Sequence, residues 1–147
     1  MKDALMHKNN QNELRYEIGG VGLSMNIKHA NISNRIKFHY KDYISNKKPK
    51  VEIKIEHKNF LKPNLNSLFL QNRAWKLGRE NGRLFFYFPR KTRHSLARFN
   101  STLDKVEFYT KDSSGQLLLY LFPELLFSLI LPQNNALMLH ACGVLND

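Results

Sequence analysis

The dipeptide Asn81-Gly82 constrains this chain more than any other feature. Both residues tolerate the positive φ that a two-residue type I′ turn demands, and such a turn closes an antiparallel hairpin. Strand-like runs flank it, Ala74-Trp-Lys-Leu-Gly78 before and Arg83-Leu-Phe-Phe-Tyr-Phe88 after, and Pro89 stops the second. A second hairpin signal lies near the start, where the alternating residues 14–18 and 21–27 surround Gly19-Gly20. Residues 51–56 are the cleanest amphipathic strand: Val51, Ile53 and Ile55 share one face, and Glu52, Lys54 and Glu56 share the other.

The remaining elements follow from punctuation and periodicity. Residues 1–12 are polar and read as a disordered lead-in, and residues 28–34 as a polar connection. Ile36, Phe38, Tyr40 and Tyr43 stand among cations, with a spacing that fits a strand or a short helix. Residues 57–72 read as one long loop rich in Asn and Lys. Residues 96–99 and 105–110 read as strands. Residues 117–131 are the most apolar stretch and hold Pro123 and Glu124, which suit a first helical position and the positive end of a helix. That helix is apolar on nearly every side and should be deeply buried. A final strand is expected over 136–145. The predicted fold is α+β: mainly antiparallel hairpins with one buried apolar helix near the C-terminus, in a single domain over 1–147.

Composition narrows the functional classes. Lys and Arg number 23 against 12 Asp and Glu, a net charge of +11, which suits an anionic partner, nucleic acid included, or merely a solvated surface. A single cysteine, Cys142, excludes an internal disulfide framework and fits a reducing cytoplasm. The N-terminus lacks the apolar run of a signal peptide, and the 117–131 stretch is shorter than the roughly 20 residues of a membrane span, so no membrane role is expected.

Motifs for chemistry are sparse. The phosphate-binding pattern G-x-x-x-x-G-K-S/T is absent, and Gly19, Gly20 and Gly22 precede a strand, where they read as a tight turn. The six histidines (His7, His29, His39, His57, His94 and His140) are scattered without metal-ligand spacing. His140 and Cys142 would share a strand face, but a nucleophile needs a base and an orienting group, and a buried cysteine is the commoner outcome. The densest cationic stretch is Arg73, Lys76, Arg79, Arg83, Arg90, Lys91 and Arg93, interleaved with aromatics, a candidate anion-binding patch. Leu84, Phe86 and Phe88 fall on one strand face, Phe85 and Tyr87 on the other, so both faces are covered or one is a binding surface.

Residues 135–144, Asn-Ala-Leu-Met-Leu-His-Ala-Cys-Gly-Val, resemble a strand motif of the HPr kinase and phosphoenolpyruvate carboxykinase-like ATPases, especially their HPr kinase-related branch. In that group the motif follows an apolar helix and a polar break, and precedes the phosphate-binding loop. The resemblance implies an N-terminal region of an ATP-dependent protein-serine kinase, ending before its phosphate loop. ATP and magnesium would belong to a complete relative, and no cofactor is expected for this chain. His140 and Gly143 match motif positions near the nucleotide site; no catalytic or metal-binding residue carries over. The expected function is a non-catalytic substrate-recognition or regulatory domain whose partner is a protein substrate or the ATPase core. The alternative is a basic stand-alone module for nucleic acid or protein. An apolar strand over 136–145 deprived of its neighbours would also favour a homodimer.

Overall fold

The computed structural model describes residues 12–90 and 94–134. Its centre is one eight-stranded sheet in the order β1-β2-β3-β8-β7-β6-β5-β4. The strands are β1 (Glu13–Ile18), β2 (Val21–Ile27), β3 (Val51–His57), β4 (Leu68–Gln71), β5 (Lys76–Glu80), β6 (Arg83–Phe88), β7 (Ser95–Phe99) and β8 (Lys105–Thr110). Three helices complete it: α1 (Ala30–His39), α2 (Gln116–Leu119) and α3 (Leu121–Ile130). The α+β class is as expected.

Both hairpins form where the glycines place them. Asn81 and Gly82 have φ of 50° and 76°, and Gly19 and Gly20 have 57° and 78°. The pairing of β2 with β3 and of β3 with β8 is parallel, and every other neighbouring pair is antiparallel. The β2–β3 step is parallel because α1 lies between them and returns the chain, as a parallel pair requires. Residues 58–67 then carry the chain to the far edge, and β4 to β7 meander back to set β8 beside β3.

α1 corrects the reading of 28–34 as a connection. Ile32, Ile36 and Tyr40 recur every four residues, are buried, and seat the helix on the sheet. β4 and a 3₁₀ turn at Leu65–Ser67 replace part of the expected 57–72 loop. The strand expected over 74–78 starts later, because Asn72 Oδ1 accepts from the amides of Ala74 and Trp75 and holds them in a turn. The single helix expected within 117–131 is two, broken at Tyr120 (φ −126°, ψ −81°). Pro123 is the third residue of α3, where its missing N–H is still among the donors without an intrahelical acceptor. No helix among the described residues is long and apolar enough to cross a membrane.

Among the described residues, the helices pack on one face of the sheet. There Phe88, Phe108 and Phe122 are 0–1% exposed and mutually in ring contact, joining the sheet to α3. The opposite face is partly covered: Phe60 and Leu68 pack on Phe85, Tyr87 and Leu96, so both faces of β6 are buried. The β1 edge is shielded by a bridge between Tyr16 and Ile44 and by the Ser45 amide donating to the Arg15 carbonyl. The expected strand over 136–145, and a dimer through it, lie outside the described residues.

Candidate functional site

The residues covering Phe85, Tyr87 and Leu96 leave the rest of that sheet face open. A groove of about 560 Å³ runs there. Its floor is set by register. Glu13, Asn26, Lys54, Glu107 and Arg98 are successive cross-strand neighbours, from β1 through β2, β3 and β8 to β7. Ser24, Glu52 and Lys105 form the adjoining row. Strict alternation along each strand sends every one of these side chains away from the helices.

Charges of both signs interleave in the groove. Arg98 donates to Glu80 at 3.3 Å, Arg15 to Glu13 at 2.9 Å and Lys54 to Glu56 at 2.9 Å. Hydrogen bonds from Lys58 and Lys54 hold the Glu56 carboxyl below the usual range. At the rim, hydrogen bonds from Thr102 and Asn100 lower the Asp104 carboxyl. Asn100 also ties the bend to β8, its Oδ1 accepting from the Lys105 amide at 3.0 Å. Beside the groove, burial pushes the Tyr109 phenol up to about 12, with Glu107 adding to the effect. Exposed pairs of this kind contribute little stability, about 0–1 kcal/mol each, so the fold does not depend on them.

The cationic stretch singled out in the sequence does not converge. Arg73 sits in the β4–β5 turn. Lys76 lies on the open face and donates to Gln71 Oε1 at 3.0 Å. Arg79 pairs with Leu84 in register and so falls on the helical face, while Arg83 lines the groove. Arg90 approaches the buried Asp112 carboxylate at 3.9 Å. Lys91, Arg93, His140, Cys142 and Gly143 lie outside the described residues. Of the groove residues only Arg83 belongs to that stretch; the outward charges of 51–56 and 105–107 are the sequence signal for the rest, but the adjacency of their strands is not legible in one dimension.

Beside His39 on α1, three further histidines make local contacts. The His29 and His57 rings lie 4.8 Å apart, His29 just past β2 and His57 at the end of β3, and His57 Nε2 is 3.2 Å from the Lys111 carbonyl. Among the described residues no three His, Cys, Asp or Glu converge to hold a metal ion. His94 stacks on Tyr87, whose hydroxyl is 2.9 Å from its Nδ1. Burial, with Lys62 and Lys111 nearby, lowers the His94 pKa from 6.5 and so favours the neutral ring, whose tautomer sets the direction of the bond with Tyr87. A depressed pKa stabilises the fold above the unfolded value and loses that contribution as pH falls through the folded one. The thermal midpoint should therefore decline as pH drops below about 6.5, and the decline should shrink in His94→Gln; equal pH profiles for both proteins would refute this.

No family model matches the chain, and no curated protein or solved structure matches it.

Proposed function

We propose that this chain is a non-catalytic recognition domain that docks a protein through the open sheet face. The partner class is an HPr kinase-like ATPase core or its protein substrate, as the resemblance of residues 135–144 implies, and the lone cysteine suits a cytoplasmic setting. The observation that carries the reading is the interleaved charge of the groove. Glu13, Glu52 and Glu107 stand beside Lys54, Lys105 and Arg98. A phosphate backbone presents one sign of charge and would meet those carboxylates unfavourably. A protein surface presents both signs and can match the pattern, which favours specificity and register over raw affinity.

Size-exclusion and calorimetric titration of the chain with an HPr kinase-like ATPase core from the same genome, and with that enzyme's protein substrate, test the proposal. Complex formation with one of them is expected. Lys54→Glu and Glu107→Lys, both on exposed side chains, should each weaken it at least about tenfold, since like charges brought together across an interface cost about 1.4 kcal/mol or more. Indifference to both reversals would overturn the groove assignment. Micromolar ATP binding with turnover by the chain alone would overturn the non-catalytic role.

A further inference from the structure

The groove is nearly balanced in charge, so the net +11 must reside elsewhere. Much of it lies on α1 and the segment that follows it. Residues 35–50 hold Arg35, Lys37, Lys41, Lys47, Lys48 and Lys50 against a single carboxylate, Asp42. Three of these cations are engaged: Arg35 with the Ser114 carbonyl, Lys47 with Glu17, and Lys50 with Asn134. Lys37 and Lys41 are exposed, and no ion pair among the described residues joins them; Lys48 is exposed too, but its backbone lies against Gly22 on the groove face.

Aromatic rings stand between these cations. Phe38 is 77% exposed, Tyr120 58% and Tyr43 49%. They are mounted on a rigid base. The buried Tyr40 ring packs on Tyr16, its hydroxyl donates to the Leu119 carbonyl at 3.1 Å, and it thereby fixes the end of α1 against α2. His39 then stands edge-on between Tyr40 at 4.8 Å and Tyr120 at 5.3 Å, and Tyr43 lies 6.4 Å from Tyr40. Lys41 Nζ sits 5.7 Å from the centre of the Phe38 ring.

We infer that this surface binds single-stranded nucleic acid. Exposed rings on a fixed base accept any base by stacking, and flanking cations hold the phosphates. The cations beside the rings that make no ion pair, Lys37 and Lys41, are point charges suited to a phosphodiester chain; a protein interface would favour arginine's planar fork for carboxylates. A lipid surface is a poorer fit, because Asn31, Asn34 and Lys37 interrupt any apolar stripe along the outer side of α1. A duplex is a poorer fit as well, since its bases are already stacked. The site is on the opposite side of the sheet from the groove and is independent of the protein docked there.

Fluorescence anisotropy with a labelled mixed-sequence RNA of about 12 nucleotides, at low salt, tests the inference. The full chain should bind it more tightly than a duplex of equal length. Phe38→Ala and Tyr43→Ala should each weaken binding about fivefold or more. Lys37→Gln and Lys41→Gln should each flatten the log–log salt dependence by about 0.7. Arg73→Gln should change neither quantity, and all these exposed positions should leave the thermal midpoint in place. No RNA binding at low salt overturns the inference. So does binding that ignores the ring substitutions, preference for an acidic protein or for anionic phosphatidylserine vesicles over RNA, or self-association through this face. Groove reversals that abolish protein docking while RNA binding survives would separate the two sites.

Discussion

Phe108→Ala should lower the unfolding free energy by about 3–5 kcal/mol, the range for truncating a fully buried aromatic. Phe108 is 0% exposed. Its ring lies 4.7 Å from Phe122 on α3 and 6.3 Å from Phe88 on β6, and those two are 6.4 Å apart. Phe86 extends the cluster from Phe88 to Phe99 and Trp75, at 6.2, 5.9 and 5.7 Å. Truncation opens a cavity where helix and sheet meet, and a triangle of rings fixed from three elements collapses poorly into it. A domain of this kind has a total stability of about 5–15 kcal/mol, so one substitution removes a large share. Urea unfolding followed by circular dichroism should show a lower midpoint with an unchanged slope. Phe108→Leu keeps most of the volume and should recover much of the loss. A cost below about 1 kcal/mol for the alanine variant would mean that these rings do not join the layers.

Local signals in the sequence were decisive wherever a residue's own backbone sets the outcome. Asn81-Gly82 and Gly19-Gly20 make turns because they adopt positive φ at little cost, and Val51, Ile53 and Ile55 face the core because strand alternation leaves them no other face. α1 was obscured for a physical reason. Its buried positions, Ile32, Ile36 and Tyr40, are diluted by Asn, Ser and cations, and the exposed Phe38 disguises the period. β4 was hidden because Phe69 and Leu70 are exposed and the strand carries a register shift, so it shows no alternation. Sheet order was not legible at all, since the placing of β8 beside β3 depends on contacts across some fifty residues. The candidate sites suffered from the same gap. Consecutive cations on a hairpin look like a patch in one dimension, yet the pleat sends Arg79 and Arg83 to opposite faces. The groove joins charges from β1, β3, β8, β7 and β6, which only the tertiary register brings together.

The covering of the sheet's second face depends on one glycine, and Gly78→Ala should expose that dependence. A Cβ at Gly78 would sit 2.6 Å from Phe85 Cζ and 2.8 Å from the Ser67 carbonyl oxygen. One neighbour is the far end of a buried ring and the other is backbone, so neither can yield without disturbing its own layer. Overpacking of this kind costs about 1–3 kcal/mol. The strain should be relieved locally, because Ser67 leads into β4, a strand of four residues at the sheet edge. β4 and the 3₁₀ turn before it should lift away and uncover Phe85, Tyr87 and Leu96, which Phe60 and Leu68 otherwise cover. Hydrogen exchange should then quicken in β4 and β5 while α3 and the Phe108 cluster keep their protection, and the variant should gain dye binding to exposed apolar surface. The groove beside Phe85 should loosen too, since Arg98 is its cross-strand neighbour and is held by Glu80 next to the β5–β6 turn. Docking through Lys54 and Glu107 should therefore weaken without any groove residue being changed. A Gly78→Ala protein within about 0.5 kcal/mol of the parent, with β4 exchange unaltered, would show that the cover is not seated through this contact.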